Sequence, residues 1–470
     1  MEPIELADRL GRWSAGRGPL YLLLAGRLRI LIDDGELRPG LRLPPDRRLA
    51  KALAVGRSTV VAAYDLLGAE GRVVRRQGSG TRVAGSGMLP ARETTHSPAF
   101  LQLLEPDADV IALACAAPTA PPPEVAQAYQ HILPALAASD GDIGYHPAGH
   151  PMLRTAIADR YRARAVPTDP EQILVTGGGQ QALSLLARAL LRPGDRVLVE
   201  APTYPGALEA FREVAAMPRI GPIGLGAVTP AALAYVVATY QNPTGAVLSA
   251  LVRQTLVESA RAAGVPLIDD EVLAELGFPG ADPAPPPLAS YDESVISIGS
   301  LSKIVWGGLR VGWVRAPAPV VARLARLRAV HDLGGNIPAQ LAAAWLLRHL
   351  DPLRERITQQ RKQSHDVLVT ELTERLPEWE VPSVSGGQTL WIRLPRGDGT
   401  SFAQRALRYG VAILPGAGLD ASGGSIDHVR ISFVADPSAL RHAARRLAEA
   451  WRTYQPPERP APASSPPLTV

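Results

Sequence analysis

A run of three glycines between an apolar strand and a helix is the first segment whose residue types suggest chemistry. The segment VTGGGQ at 175–180 is followed by apolar residues at helical spacing from Ala182 to Ala189. A glycine turn at a helix N-terminus exposes free backbone N–H groups beside the positive end of the helix dipole. This arrangement suits a phosphate group, although a glycine run taken alone also fits a simple turn.

A lysine that follows two serines is the most informative segment. The motif SLSK at 300–303 comes after the apolar strand 295–298, and Arg310 lies seven residues beyond the lysine among several glycines. A desolvated lysine amine is a nucleophile, and an arginine can hold a phosphate with two parallel hydrogen bonds. The alternative interpretation of the same residues is a basic surface loop.

Two more groups of polar residues follow predicted strands. Asn242 comes after the apolar strand 236–238, and the acids at 269–271 end a buried strand that begins at Val265. Because ligands of open α/β sheets bind at the carboxyl ends of strands, these polar residues are functional candidates. A turn around Asn242 and a helix cap at 269–271 are the simpler alternatives.

Taken together and in this order, the four motifs resemble those of the fold-type I, PLP-dependent aminotransferases over about 109 to 452. The resemblance implies an α/β domain with a mostly parallel central sheet, and pyridoxal 5′-phosphate (PLP) as cofactor. Lys303 matches the catalytic lysine that forms the Schiff base. Asp270 matches the acid that keeps the pyridine nitrogen protonated, and Asp269 is the fallback.

The same resemblance assigns the remaining cofactor contacts. Asn242 matches the residue that hydrogen-bonds the 3′ oxygen of the ring, and Tyr204, in PTYPG, matches the aromatic side chain that stacks on it. The phosphate contacts implied by the resemblance are Arg310, Ser300, Ser302, Gly178 and Gly179. The motifs imply no metal site.

Two further matches and one departure complete the comparison. Tyr145, in GYHPAGHPMLR, matches a tyrosine that reaches the phosphate of the neighbouring subunit, which implies a homodimer. Arg430, in HVRISF, matches the arginine that holds a substrate α-carboxylate. The family usually has a tyrosine two or three residues after the aspartate, where this chain has Val272 and Leu273. Neither can donate a hydrogen bond, so we expect at most partial transamination.

The first 85 residues have a different character from the rest of the chain. They hold 15 Lys or Arg against 9 Asp or Glu, a net charge of +6, whereas the remaining residues have a net charge of −2. Apolar residues predict a helix from about Leu20 to Gly35, a second after Pro45 and a third from about Arg57. A two-stranded wing follows Gly71. A basic helix-turn-helix with a wing predicts DNA binding, and a basic surface without a partner is the alternative.

The run from Gly35 to Val83 closely resembles the winged helix of GntR-type bacterial regulators, within a match of about 65 residues. In that family the arginine after the Leu-Pro pair, the start of the recognition helix and the wing tip contact DNA. The residues at these positions are Arg47, Arg57, Ser58, Thr59, Gln77 and Gly78. A helical domain whose arginines are only solvated charges is the competing interpretation.

The chain therefore divides into a winged-helix domain at 1–84, a linker at 85–108 and an aminotransferase-like domain at 109–454. The residues 455–470, rich in proline, alanine and serine, predict a disordered tail. The single cysteine, Cys115, and the absence of an apolar leader favour the cytoplasm. The most apolar stretch, 20–32, is interrupted by two arginines, which argues against a membrane span.

This combination of domains resembles the MocR family of bacterial regulators. The resemblance implies a homodimeric, DNA-binding transcription factor, in a head-to-tail arrangement, whose PLP domain senses an amino acid, an amine or PLP through a Schiff base on Lys303. Such an effector would change how the paired winged helices sit on double-stranded DNA. The alternatives are an active aminotransferase that carries a DNA-binding domain, and a plain repressor with a vestigial pocket.

Overall fold

The structure, a computed structural model, describes residues 1–14, 18–76, 80–84, 109–138 and 141–456. The predicted linker, the wing-tip residues Gln77 and Gly78, and most of the predicted tail lie outside the described residues. Within the described part of the chain, no helix combines the length and apolar character needed to cross a membrane.

The N-terminal domain is a winged helix with its own hydrophobic core. Its elements are α1 (Pro3–Leu10), α2 (Leu20–Asp33), α3 (Asp46–Ala52), α4 (Arg57–Ala69), β1 (Val73–Arg76) and β2 (Gly80–Val83). The predicted inner faces are confirmed, since Leu24 and Leu28 of α2 and Val60, Tyr64 and Leu67 of α4 are fully buried. The two strands pair antiparallel. Helix α1 was not predicted.

The second domain is built around a seven-stranded sheet. Its elements are β3 (Ile111–Ala112), α5 (Pro123–Ala137), α6 (Pro151–Ala163), β4 (Ile173–Thr176), α7 (Gly179–Leu190), β5 (Arg196–Glu200), α8 (Pro205–Glu213), β6 (Met217–Gly221), β7 (Leu233–Val236), α9 (Ala250–Ala263), β8 (Leu267–Asp270), β9 (Ile296–Ser300), β10 (Gly312–Arg315), α10 (Ala318–His331) and α11 (Ile337–Arg348). The strand order is β4-β10-β9-β8-β7-β5-β6, and only β10 runs antiparallel. The predicted mostly parallel sheet is confirmed, with a hydrophobic core on each face.

One strand prediction was wrong in position. The strand expected at 236–238 is β7, which ends at Val236. The next two backbone N–H groups donate to side chains instead of a neighbouring strand: Val237 to Glu200 at 3.0 Å and Ala238 to Asp269 at 3.4 Å. Buried carboxylates therefore end the ladder, and apolar residues alone could not reveal this.

The C-terminal part of the chain forms a smaller subdomain. Its elements are α12 (Leu350–Arg375), β11 (Thr389–Arg393), α13 (Gly399–Arg408), β12 (Val411–Ala412), β13 (Leu414–Pro415), β14 (His428–Ser432) and α14 (Pro437–Arg452). Strands β11, β14 and β13 form an antiparallel sheet, and β12 pairs in parallel with β3. A separate hydrophobic core lies between this sheet and its helices.

Helix α13 joins the two halves of the molecule, because it also contacts α1 and α3 of the winged helix. Gln404 Nε2 donates to the backbone oxygen of Gly11 at 2.9 Å, and Arg408 Nη1 donates to that of Leu53 at 3.2 Å. Thr400 Oγ1 donates to Asp8 at 3.4 Å. The contact is thus polar, as is common between domains that move relative to each other.

Candidate functional site

The residues that the sequence assigned to the cofactor meet in one cavity of about 310 Å³ at the carboxyl end of the large sheet. Those lining it are Gly178, Gly179, Tyr204, Asn242, Asp270, Ser300, Ser302, Lys303, Arg310 and Arg430. They come from seven separate segments of the chain. Their convergence is an observation, while the role of each residue stays a prediction.

Lys303 lies in a five-residue π-helical turn, Ser302–Trp306, directly after β9. Such turns are rare and occur frequently at functional sites. The Lys303 amine donates to the backbone oxygen of Ala116 at 2.7 Å. Burial lowers the pKa of Lys303 to about 8, helped by Arg430 and opposed by Cys115. About one amine in ten is then neutral at pH 7, which makes Lys303 a competent nucleophile.

Asp270, the last residue of β8, supplies the carboxylate at the floor of the cavity. It accepts hydrogen bonds from the Tyr235 hydroxyl at 2.7 Å and from the backbone N–H of Val272 at 3.1 Å. Burial raises the pKa of Asp270 to about 6, and the Tyr235 hydrogen bond opposes that rise. Asp270 is therefore largely ionised at pH 7 and suited to a protonated ring nitrogen.

The fallback acid, Asp269, lies on the opposite face of β8. Its carboxylate accepts from the backbone N–H groups of Ala238 and Leu288, each at 3.4 Å, and it does not line the cavity. Since side chains alternate between the faces of a strand, only one of two adjacent acids can face the pocket. The geometry favours Asp270.

The predicted phosphate end of the cavity is a cradle of small residues. Gly178 has a φ of +127°, and a Cβ there would come within 3.2 Å of Arg310 Nη2. Gly179 begins α7, so backbone N–H groups at that helix end face the cavity. Arg310 is exposed, and within the described part of the chain its guanidinium donates only to the backbone oxygen of Gly307, at 3.3 Å. Its guanidinium is thus available to an anion.

The two serines lie at the same end. Ser300 Oγ donates to Ser302 Oγ at 3.0 Å, and it accepts from the backbone N–H of Ser302 at 3.1 Å. Their hydroxyls therefore hold each other in place beside Lys303. Both line the cavity next to Arg310, as a phosphate-binding role requires.

Arg430 approaches the cavity from β14 of the smaller subdomain. It donates to Asn242 Oδ1 at 3.0 Å and to the backbone oxygen of Ala114 at 2.6 Å. Its Nε is buried and has no partner among the described residues. Burial lowers the pKa of Arg430 to about 10, so the side chain stays charged. A buried cation with spare hydrogen-bonding capacity suits a carboxylate ligand.

The cavity also contains the predicted aromatic residue, Tyr204, and the two apolar residues that stand where the family usually has a tyrosine. Tyr204 precedes α8, and its hydroxyl donates to Gln180 Oε1 at 3.1 Å, which fixes the orientation of the ring. Val272 and Leu273 both line the cavity, so the usual tyrosine hydroxyl is replaced there by apolar groups. Tyr145 does not line the cavity of its own chain, and its side chain is 61% exposed.

The residues present fit PLP. A neutralisable amine, an ionised carboxylate and a glycine cradle beside the Arg310 guanidinium lie around one cavity, and Arg430 Nε has no partner among the described residues. When bound, PLP supplies a reactive aldehyde and an electron-withdrawing ring. Lys303 would hold the aldehyde end, Asp270 the ring nitrogen and Arg310 the phosphate.

The predicted DNA contacts in the described residues form a second site, which we call the recognition face: Arg47 on α3 and Arg57, Ser58 and Thr59 at the start of α4. Arg47, Arg57 and Ser58 are exposed, and Thr59 is half-buried. Arg57 Nη2 lies 3.8 Å from Asp46 Oδ2, and Asp46 also pairs with Arg75 of the wing at 2.9 Å. An acid thus lies within an otherwise basic surface.

Sequence reasoning missed two residues that shape the cofactor pocket. Tyr235 lies mid-strand in β7, and only the pairing of β7 with β8 brings its hydroxyl to Asp270. Gln180 follows the glycine turn that the sequence did identify, but its contact with Tyr204 spans 24 residues. A tyrosine in an otherwise aliphatic strand was the one available signal.

Comparison with known proteins identifies the family of each domain. The family model for aminotransferase class I and II matches residues 108–447, and the model for bacterial regulatory proteins of the gntR family matches residues 20–83. The structure of the α-aminoadipate aminotransferase LysN from Thermus thermophilus, solved with N-(5′-phosphopyridoxyl)-L-leucine, has a TM-score of 0.67 and 27% identity. It covers 73% of this chain and 92% of its own.

Two transcriptional regulators are among the similar proteins. The HTH-type pyridoxine biosynthesis transcriptional regulator PdxR of Corynebacterium glutamicum is 31% identical and covers 77% of this chain and 81% of its own. YisV, an HTH-type transcriptional regulator of Bacillus subtilis, is 28% identical over 90% of this chain and 94% of its own.

The chain belongs to the aminotransferase class I and II family and carries a gntR-type DNA-binding domain ahead of it. More narrowly, it is one of the fused GntR–aminotransferase regulators, the MocR type, and is a PLP-dependent transcriptional regulator.

Proposed function

We propose that the PLP pocket is the sensor of this regulator, and that it reports an amino acid, an amine or PLP itself to the winged helix through α13. The observation that carries the proposal is the position of Arg430. It lies in the pocket but belongs to β14, and α13 packs against β13 and β14 on one side and against the winged helix on the other.

The chain's own residues divide the work of binding. Lys303 is the amine that an incoming amine would replace, and its lowered pKa lets it leave and return near neutral pH. Asp270 would hold the protonated ring nitrogen of PLP, and Arg430 would bind a carboxylate. An α-amino acid has both an amine and a carboxylate. Its amine would take the place of the Lys303 amine, and its carboxylate would bind Arg430.

A ligand changes DNA binding only if it binds two arrangements of the domains with different affinity. A carboxylate at Arg430 would accept from the unpartnered Nε and would compete for the Nη groups that now donate to Asn242 and Ala114, and so displace β14. Strand β14 packs against α13, whose Gln404 and Arg408 hold the winged helix. A shift of α13 would therefore change the position of the recognition face.

The proposed unit is a head-to-tail homodimer that acts on double-stranded DNA in the cytoplasm. Tyr145 supports it, because this exposed side chain would complete the partner's phosphate site. Tyr145→Phe should weaken PLP binding without changing the thermal unfolding of either domain. A monomer on a sizing column, or unchanged PLP affinity in the variant, would contradict this arrangement.

Covalent trapping of the lysine tests the sensor directly. The sequence contains only three lysines, Lys51, Lys303 and Lys362, so borohydride reduction followed by mass spectrometry gives an unambiguous assignment. We expect the phosphopyridoxyl mass on Lys303 in the wild type and in Lys362→Ala, and none in Lys303→Ala. Labelling of Lys51 or Lys362 instead would overturn the site.

The input is then identified by an absorbance titration of the PLP-loaded protein with a panel of amino acids and amines, followed by DNA binding with each hit. A ligand that changes the spectrum should also change DNA affinity in the wild type. A spectral change without any change in DNA affinity would remove the sensor function and leave the pocket intact.

An active aminotransferase with a DNA-binding domain is the second candidate. The favouring observation is that the Lys303, Asp270 and Arg310 set is complete and lies in one cavity. Against it, Val272 and Leu273 replace the tyrosine that would hydrogen-bond the ring oxygen. Sustained turnover of an amino donor with a keto acid would support this candidate, and a single slow turnover would support the sensor.

A further inference from the structure

A cluster of two histidines and one aspartate outside the cofactor pocket has no part in the function proposed above. Asp142, His146 and His150 lie in the loop before α6, and one ligand-type atom from each lies within 4.8 Å of the other two. His146 Nε2 is 2.9 Å and 3.1 Å from the two carboxylate oxygens of Asp142. The rings of His146 and His150 meet edge to face at 5.2 Å.

The backbone around the cluster is fixed by contacts with distant parts of the chain. The His150 N–H donates to Gln340 Oε1 at 2.7 Å, and the Val175 N–H donates to the backbone oxygen of Ala148 at 2.9 Å. Gly334 packs so closely that a Cβ there would lie 2.5 Å from the His146 oxygen. These contacts fix the loop at His146 and His150, while Asp142 is held only within the loop, by the Gly144 N–H at 2.8 Å and by His146.

We propose that Asp142, His146 and His150 form a site for a divalent transition-metal ion, best suited to Zn²⁺. Two imidazoles and one carboxylate are a common three-residue set for zinc, with water in the fourth position. Tetrahedral zinc bonds of about 2.0–2.1 Å place donor atoms about 3.3 Å apart, so rotations of the half-buried histidines would close the cluster. Nitrogen ligands make Mg²⁺ and Ca²⁺ poor candidates.

The position of the cluster gives the ion a consequence for the loop. Tyr145 lies between the first two ligands, and its exposed side chain is the proposed contact with the partner's phosphate. A metal that joins residue 142 to residue 150 would hold this segment in one conformation. The metal site itself does not depend on the sensor proposal, because its ligands lie outside the cofactor pocket.

The simpler explanation is an Asp142–His146 ion pair beside a helix cap, since His150 Nδ1 accepts from the Met152 N–H at 3.3 Å. Metal titration separates the two. Tag-free, full-length, PLP-loaded protein is dialysed against Zn²⁺, and the bound metal per chain is measured by mass spectrometry. Co²⁺ is titrated in parallel, with its visible absorbance reporting four-coordination. We expect one ion per chain and no displacement by excess Mg²⁺.

Substitutions in the cluster identify the ligands. Asp142→Asn and His146→Gln should each lower Zn²⁺ affinity at least tenfold, and neither removes the His150 helix cap. His442→Gln, an exposed histidine on α14, is the matched control and should bind as the wild type does. Lys303→Ala, which cannot hold PLP covalently, should also keep its metal, which excludes chelation by the cofactor.

Equal affinity in the cluster variants and the wild type would overturn the proposal, as would fewer than one ion per two chains at Zn²⁺ concentrations far above micromolar. Hydrogen exchange gives an independent readout. Zn²⁺ should slow exchange at 141–150 in the wild type and not in Asp142→Asn. Protection in both proteins would place the ion elsewhere.

Discussion

The cofactor pocket and the recognition face use the same kinds of charged side chains in opposite surroundings. Asp270 is 7% exposed and Arg430 is 5% exposed, whereas the side chain of Arg57 is 57% exposed. In the pocket, burial moves the pKa values of Asp270, Lys303 and Arg430 toward neutrality. At the recognition face the charged side chains stay largely hydrated and form long ion pairs, such as that between Arg57 and Asp46 at 3.8 Å.

The difference shows where each site obtains its binding energy. A buried charge has already lost its hydration, so a ligand of opposite charge interacts with it strongly. An exposed arginine gains little from one more ion pair, and its contribution comes from counterion release and from direct contact with a base. Substitutions in the pocket should therefore have larger effects than substitutions on the recognition face.

The largest expected effect is that of Asp270→Asn. The amide keeps the shape of the side chain but removes the charge that would pair with the ring nitrogen, so PLP binding should weaken by about 2–5 kcal/mol. Spectroscopic titration with PLP measures the change. Asp269→Asn is the comparison variant, and DNA binding without cofactor should be the same in both. A greater loss in Asp269→Asn would assign the ring nitrogen to the other acid.

Tyr235→Phe should have the next largest effect, because it removes one hydrogen bond to Asp270 worth about 1.5–3 kcal/mol. The Tyr235 donor favours the ionised carboxylate, so its loss raises the pKa of Asp270 from about 6. Wild-type affinity for PLP should fall as pH drops through about 6, where Asp270 becomes neutral. In the variant the fall should begin about one to two pH units higher.

A PLP-affinity profile against pH checks this prediction, and Tyr64→Phe serves as control for the loss of a buried tyrosine hydroxyl. Tyr64 donates to the backbone oxygen of Pro44 in the winged helix, far from the cofactor in sequence and in another domain. Its profile should follow the wild type. An unshifted profile in Tyr235→Phe would mean that Val272 alone sustains the charge on Asp270.

The sequence predicts some residues of the cofactor pocket and not others, and the reason is whether their contacts are local in the chain. Lys303, Asp270 and Arg310 were predicted because each lies in a short motif that resembles one of the aminotransferase family, and the structure brings all three to one cavity. Tyr235 could not be found, since its contact with Asp270 requires the pairing of β7 with β8. The end of β7 at Val236 was missed for a related reason, because Glu200 and Asp269 come from other strands.

The winged helix shows the converse case. Its helices were predicted within a few residues because their apolar faces repeat locally, and the recognition face follows directly from α3 and α4. The contact with α13 was not predicted, because Gln404 and Arg408 bind backbone oxygens more than 350 residues away in the chain. Every residue has a backbone oxygen, so the sequence does not indicate which one accepts such a hydrogen bond. These contacts can be identified only from the structure.

On the recognition face, Arg57→Ala should weaken binding to a duplex selected by the wild type from a random pool by about 1–3 kcal/mol if Arg57 reads a base. Gel-shift titrations at fixed salt give the affinity. Arg38→Ala removes the same charge from an exposed loop outside the recognition helix and should weaken DNA binding by a smaller amount. Equal losses on selected and unselected DNA would make Arg57 a phosphate contact only.

The smallest expected effect is an increase in affinity for DNA, whereas the other substitutions lower the affinity for PLP or DNA. Asp46 is the acid between Arg57 and Arg75, and Asp46→Asn would release Arg57, leave Arg75 paired with Asp65 alone, and remove a repulsion with phosphate. Since exposed ion pairs contribute about 0–1 kcal/mol, DNA affinity should rise by less than about 1 kcal/mol, and the gain should shrink with added salt. Asp34→Asn, an exposed acid after α2, should change neither quantity. A large loss of affinity in Asp46→Asn would show that Asp46 positions Arg57 and Arg75 for DNA, so that the recognition face, like the pocket, depends on charges fixed before the ligand arrives.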